Sequence, residues 1–188
     1  MLINGDDVPF AVYPSAVPDE VCDAILNEVV GLTGSAGEVG GGDPTLRRST
    51  VAFLGTTHWV AELLHGAAVR ANAEAGWHLD LLGPEAVQVA RYATGDFYGW
   101  HIDSYTDGEQ SRKLSMSLQL TDGAMYEGGD LQFARFGVPK LETLDVPAAG
   151  RKRGSIIVFP SYLMHRVQPV RDGVRCSVVA WIRGPRFR

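Results

Sequence analysis

Five histidines stand at positions 58, 65, 78, 101 and 165 of the 188 residues, and two open a His-x-Asp triplet: His78-Leu79-Asp80 and His101-Ile102-Asp103. With 22 acidic residues in the chain, about 0.6 such triplets arise by chance, so context must separate them. His78 follows Trp77 just behind a helical segment, where the dipole favours histidine and Asp80 opens a turn, a structural reading. His101 instead ends the aromatic-rich run 92–101, with Asp103 two residues on. On a strand, residues two apart point the same way, so imidazole and carboxylate converge while Trp100 and Ile102 face outward. His165 is the best third ligand, because residues 154–165 read as a buried strand, a proline turn and a new strand. Two histidines and one carboxylate on one face leave the opposite face open, which suits non-heme Fe(II) binding a cosubstrate and O₂.

Ten residues beyond His165, Arg175 opens the apolar run Val178-Val179-Ala180-Trp181. Two readings stand: the side chain stays at the strand mouth in solvent, or it is buried and holds an anion. Ser177 points the same way, and a planar guanidinium beside a hydroxyl can grip a carboxylate. Cys176, Val178 and Ala180 then face the other layer.

The elements that must position these groups fall into two halves. Pro18, Asp19 and Glu20 make a helical first turn, and Val21, Ile25 and Val29 recur at helical spacing, which predicts a helix to about Leu32. Residues 33–44, rich in glycine, form a loop and a candidate lid. The spacing predicts a second helix over 57–75 with a threonine N-cap and Trp59, Leu63, Leu64, Ala67 and Ala71 on its buried side. From Val87 onward short strands alternate with turns. The clearest is 113–121, where Leu114, Met116, Leu118 and Leu120 alternate with Ser115, Ser117 and Gln119. Its apolar face must meet a core, and its polar, uncharged face can line a cavity. Further strands are read at 131–133, 155–159, 163–167 and 175–182. Helices followed by strands give an α+β domain with a sandwich or barrel as its β part.

Composition narrows the function. At 45% hydrophobic with four Trp, six Tyr and seven Phe the chain has the apolar area to fold. Its net charge of −5 argues against nucleic-acid and anionic-membrane partners, which need a basic field. Neither a signal sequence nor a membrane span is read, so a cytoplasmic location is expected. Cys22 and Cys176 are too few for a disulfide scaffold and read as small buried hydrophobes. The basic stretches 151–153 and 183–188 are solvated faces, or else recruit an acidic partner.

Taken in order, Tyr92-x-x-Gly95-x-x-Tyr98-x-x-His101-x-Asp103, Arg112-Lys113-Leu114-Ser115, Glu127-Gly128-Gly129-Asp130-Leu131, Phe159-Pro160-Ser161 before His165, and Arg175-x-Ser177 with Trp181 beyond resemble the Fe(II)/2-oxoglutarate-dependent oxygenase superfamily, in its prolyl-4-hydroxylase-like branch. The resemblance spans about residues 47–187. It implies a double-stranded β-helix, or jelly roll, buttressed by N-terminal helices, with residues 1–188 as one domain: helical support at about 15–80 and the jelly-roll core at about 85–185. It makes His101, Asp103 and His165 the iron ligands, puts Arg175 and Ser177 on the distal carboxylate of 2-oxoglutarate, and adds Tyr92 as a cosubstrate contact. One departure is Gln119, where some relatives carry a tyrosine as a further cosubstrate contact; that contact is either weaker here or supplied by Ser115 or Ser117. The implied cofactors are Fe(II), 2-oxoglutarate and O₂, with ascorbate left open. The implied reaction is hydroxylation of an aliphatic carbon of a prolyl residue in a polypeptide, coupled to decarboxylation of the cosubstrate to succinate. A free amino acid or other small molecule as substrate, and a catalytically silent binding module, are the alternatives. Residues 33–44 and 104–111 are the candidate lids.

Overall fold

The structure, a computed structural model, describes residues 9–30, 35–36, 43–136 and 141–187. Its two longest strands lie side by side. In Gln110–Gln119, Leu114, Met116 and Leu118 enter one core while Ser115, Ser117 and Gln119 lie on the other face. Arg175–Pro185 runs antiparallel beside it, with Val178, Ala180 and Ile182 on the apolar side and Arg175, Ser177 and Trp181 opposite.

These strands sit at the centre of a nine-stranded antiparallel sheet. Its path is Ala11–Tyr13, Ile156–Pro160, Gln110–Gln119, Arg175–Pro185, Val87–Tyr92, Thr50–Leu54 and Ser35–Ala36, with Gly83–Pro84 and Thr106–Asp107 paired alongside. A second sheet runs Leu141–Asp145, Leu131–Phe136, His165–Val167, Phe97–His101 and Arg47–Arg48. The two pack through Phe10, Ala90, Phe133, Ile157, Phe159 and Val167. Phe133 stacks on Phe10 at 4.4 Å between centroids and meets Phe159 edge-on at 4.8 Å. A ribbon of Tyr126–Gly128 and Val170–Gly173 completes the strands described. This is the expected α+β jelly roll.

The outer face of the larger sheet is covered by two helices, α1 (Asp19–Val30) and α2 (Trp59–Glu74). α1 carries Asp19 and Glu20 in its first turn and buries Cys22 and Ile25. The expectation for α2 needs correcting. Its N-cap is His58, whose Nδ1 accepts from the Val60 N–H at 3.3 Å, and its buried stripe is Val60, Ala61, Leu64, Ala68 and Ala71. Three alanines let the helix backbone lie close on the sheet. That rotates Trp59 and Leu63 outward, where the Trp59 indole donates to Glu28 of α1 at 2.8 Å.

Two segments are the candidate lids. Residues 104–111 contain a short hairpin, Thr106–Asp107 paired with Gln110–Ser111, and the Arg186 guanidinium donates to the Gly108 carbonyl at 2.6 Å. Of the glycine-rich candidate lid, residues 33–34 and 37–42 lie outside the described residues, and 35–36 form an edge strand. Three arginines of the basic stretches pair within the chain: Arg151 with Asp130, Arg153 with Asp23 at 2.5 Å, and Arg183 with Glu85 at 2.7 Å. No helix among the described residues is long and apolar enough to cross a membrane.

Candidate metal centre and its cavity

His101 ends the strand Phe97–His101, and its direct antiparallel partner is His165, the first residue of His165–Val167. Directly opposed residues project to the same side, so the pairing alone brings the imidazoles together, at 4.1 Å between centroids. The register then slips, with Val167 opposite Tyr98. That bulge matters: Tyr98 and His101 are three apart and would point oppositely on a regular strand, yet their rings stack at 3.5 Å and 11°. Asp103 departs from the expected strand geometry, because the strand ends at His101. A loop carries it instead, and its N–H donates to the Ser161 carbonyl at 3.0 Å.

The three side chains converge. His101 Nε2 lies 3.6 Å from Asp103 Oδ1, His165 Nε2 lies 3.5 Å from Oδ2, and the ligating atoms all fall within 4.8 Å of one another. Each imidazole donates its Nδ1–H to a backbone carbonyl, His101 to Gly99 and His165 to Leu163, both at 2.8 Å. A carbonyl can only accept, so Nε2 is left as the lone-pair atom facing the cavity. Burial, then repulsion from His165, pushes His101 down to about 4, so its ring is neutral at pH 7. Burial alone would raise Asp103. The two imidazoles more than offset it, helped by Trp181 and Ser115 leaning on the carboxylate, and hold Asp103 below the ordinary carboxylate range. Trp181 Nε1 itself falls short of full hydrogen-bond geometry. A neutral imidazole and an ionised carboxylate are the states a cation needs.

Arg175 resolves to the buried reading. It is 2% exposed, its Nη1 donates to Ser177 Oγ at 3.1 Å and its Nη2 to Ser117 Oγ at 3.5 Å, and its Cζ lies 5.6 Å from the Tyr92 ring centroid. Among the described residues it has no carboxylate partner. A buried cation served only by hydroxyls and a ring face is under-compensated, which prepares the spot for an anion. Gly129 makes room for it: φ is +60°, and a Cβ there would come within 3.2 Å of Arg175 Cδ. Arg175, Ser177, Tyr92 and the three converging side chains all line one cleft, which encloses about 450 Å³ of space, part of it open solvent.

Sequence reasoning missed several wall residues. Arg47 is 7% exposed, donates from Nε to Ser49 Oγ at 2.8 Å and from Nη2 to Gln88 Oε1 at 2.9 Å, and lies 4.7 Å over the Tyr98 ring. Its strand is two residues long and has no period to read. Tyr98 stands in the motif without a role, because the bulge that stacks it on His101 has no signal in the sequence. Ser117 accepts from Arg175 at 3.5 Å, and Gln119 donates to the same hydroxyl at 3.0 Å, so Gln119 reaches the guanidinium through that serine.

The family model described as the 2OG-Fe(II) oxygenase superfamily matches residues 87–183, just over half of the chain. A PKHD-type hydroxylase of Synechococcus sp. (strain CC9902) is 39% identical over 97 residues, covering 52% of this chain and 40% of its own length. One of Shewanella oneidensis is 34% identical over 97 residues, covering 50% and 40%. The match thus spans about 40% of the length of these curated relatives. Among solved structures, a Pseudomonas putida prolyl-4-hydroxylase superimposes with a TM-score of 0.71 at 21% identity, covering 96% of this chain and 95% of that one. A Trichoplax adhaerens prolyl hydroxylase, solved in complex with a hypoxia inducible factor oxygen degradation domain peptide fragment, gives 0.71 at 17% identity, covering 94% and 84%. At these identities the structural likeness establishes the fold.

Proposed function

The chain belongs to the 2OG-Fe(II) oxygenase superfamily, and from that premise we propose that it is an Fe(II)- and 2-oxoglutarate-dependent dioxygenase hydroxylating an aliphatic C–H bond, with a prolyl residue of a polypeptide as the first substrate class. In this reading residues 1–188 act as one domain. The observation that carries it is the buried, carboxylate-free guanidinium of Arg175 in the same cleft as three converging ligand atoms. The prolyl assignment draws on the hydroxylase relatives and the prolyl-hydroxylase folds.

His101, Asp103 and His165 would hold Fe(II) through two Nε2 atoms and one carboxylate oxygen, leaving one side of the ion open. Bound there, Fe(II) supplies the redox chemistry that couples O₂ and the decarboxylation of 2-oxoglutarate to hydroxylation of carbon. The chain's own share is binding, orientation and exclusion of water. Arg175 takes the far carboxylate of the cosubstrate in charge-assisted bonds, with Ser177 and Ser117 holding the guanidinium in place. Tyr92, buried under that guanidinium, offers its hydroxyl to the cosubstrate. Phe159, Val179 and Trp181 wall the cleft with apolar surface, which strengthens each of these polar contacts.

The test is anaerobic reconstitution with Fe(II) and 2-oxoglutarate, admission of air, and assay of succinate, with candidate peptides and amino acids followed by mass spectrometry. Succinate that requires both additions, with gain of one oxygen atom by a proline-containing peptide, is expected. Absence of metal binding and of cosubstrate turnover refutes the reading.

A further inference from the structure

The cleft contains a second cation that the reading above leaves without a task. Arg112, Arg151, Arg153 and Arg183 each face a carboxylate. Arg47, like Arg175, faces none among the described residues, although it is 7% exposed. Its Nε and Nη2 are fixed by Ser49 and Gln88, and its Nη1 makes no hydrogen bond among the described residues while the side chain lines the cleft. Its partner Gln88 and Arg175's partner Tyr92 are four residues apart on one strand, a backbone separation of about 13 Å. The two guanidiniums thus have separate partners along that strand while lining the same cleft. With a dication, a dianionic cosubstrate, Asp103 and Arg175 in place, the charges balance and Arg47 remains as the surplus.

Resting on the reading above, we infer that Arg47 receives a carboxylate of the substrate, so that the preferred substrate is a carboxylic acid rather than an internal, uncharged peptide segment. Tyr98 connects the two groups: Arg47 Cζ lies 4.7 Å from the phenol centroid, and the phenol stacks on the His101 imidazole at 3.5 Å. A carboxylate on the Nη1 edge would thus sit one aromatic ring away from His101, in the cleft that the three ligand side chains also line. The α-carboxylate of a free amino acid and the C-terminal carboxylate of a peptide share this chemistry.

Binding of three probes separates them: free L-proline, a peptide ending in a proline carboxylate, and the same peptide amidated. Each is titrated calorimetrically into protein loaded with Mn(II) and 2-oxoglutarate, and again into metal-free protein. A carboxylate probe should bind at least about tenfold tighter than the amide, and the tighter of the two acids names the source. Arg47→Gln should erase the preference while leaving 2-oxoglutarate affinity as it was, and Arg47→Lys should retain part of it. Equal binding of acid and amide by the unaltered protein overturns the inference, and that comparison needs no variant. A fall in 2-oxoglutarate affinity in Arg47→Gln also overturns it, by assigning Arg47 to the cosubstrate. Failure to bind Mn(II) and 2-oxoglutarate at all strikes the proposed function instead, since the metal-free acid and amide titrations still decide Arg47.

Discussion

Replacing Arg175 by methionine removes one charge and keeps most of the aliphatic stem. In the free protein the guanidinium is 2% exposed, and what it receives is a hydroxyl at 3.1 Å, another at 3.5 Å and a ring face at 5.6 Å. Most of its lost hydration is therefore returned only when an anion arrives. Removing one partner of a buried, hydrogen-bonded charge pair costs about 3–5 kcal/mol, and at 1.4 kcal/mol per tenfold the affinity for 2-oxoglutarate should fall roughly 100-fold to several-thousand-fold. Burial leaves little screening to discount. The same change relieves an under-compensated cation, so the ligand-free variant should melt at the same temperature or higher. Calorimetric titration of 2-oxoglutarate into Mn(II)-loaded protein, beside thermal melts without ligand, measures both. An affinity within about threefold of the unaltered protein, whatever the melting behaviour, refutes the reasoning.

His101→Ala and Asp103→Asn should each weaken Mn(II) binding by more than about 100-fold, beyond what outer partners of a metal site cost, with a cooperative melt retained; spectroscopic titration of the metal decides it. Gly154 has φ +75°, and a Cβ there would stand 2.0 Å from the Val17 carbonyl, so Gly154→Ala should cost about 2–4 kcal/mol in urea unfolding. Gly66, exposed inside α2 with nothing within 4 Å of a Cβ, gives the opposite sign, and Gly66→Ala should gain about 0.5–1 kcal/mol. Burial would raise Glu85, but Arg112 and Arg183 more than offset it and hold its carboxyl below the ordinary 4.5. The stabilisation is therefore present above pH 4.5 and is lost as pH falls through the lowered value. A Glu85→Gln variant should be less stable at pH 7 and show a shallower loss on acidification, read from denaturation midpoints against pH.

What could be read from the residues followed from whether a rule of period applied. The strands read at 113–121 and 175–182 overlap strands 110–119 and 175–185, and their two faces were assigned correctly over 114–119 and 175–180, down to Ser177 beside Arg175; the register slips only beyond Ile182. The metal-type triad was legible because chemistry, not spacing, selected His101 over His78; His78 sits in a turn at φ +51° behind α2. The cap and stripe of α2 were misread because its contact is made by alanines, whose weak signal was outvoted by Trp59 and Leu63. Asp103 was brought to the right place for the wrong local reason, a loop hydrogen bond in place of a continued strand. Tyr98 stood in the motif, but its place against His101 could not be read because a bulge sets it, and Arg47 had no period to read on a two-residue strand.

The choice of ring nitrogen at both histidines is written in the course of the main chain. Each imidazole is gripped by the carbonyl two positions before it, Gly99 for one and Leu163 for the other. No neighbouring side chain has to be kept for that purpose. The walls of the hollow can therefore exchange size, polarity and charge without turning either ring. A family that inherits this backbone path can wander widely in what it accepts while its grip on the ion stays constant, and an engineer redirecting the cleft has the same freedom.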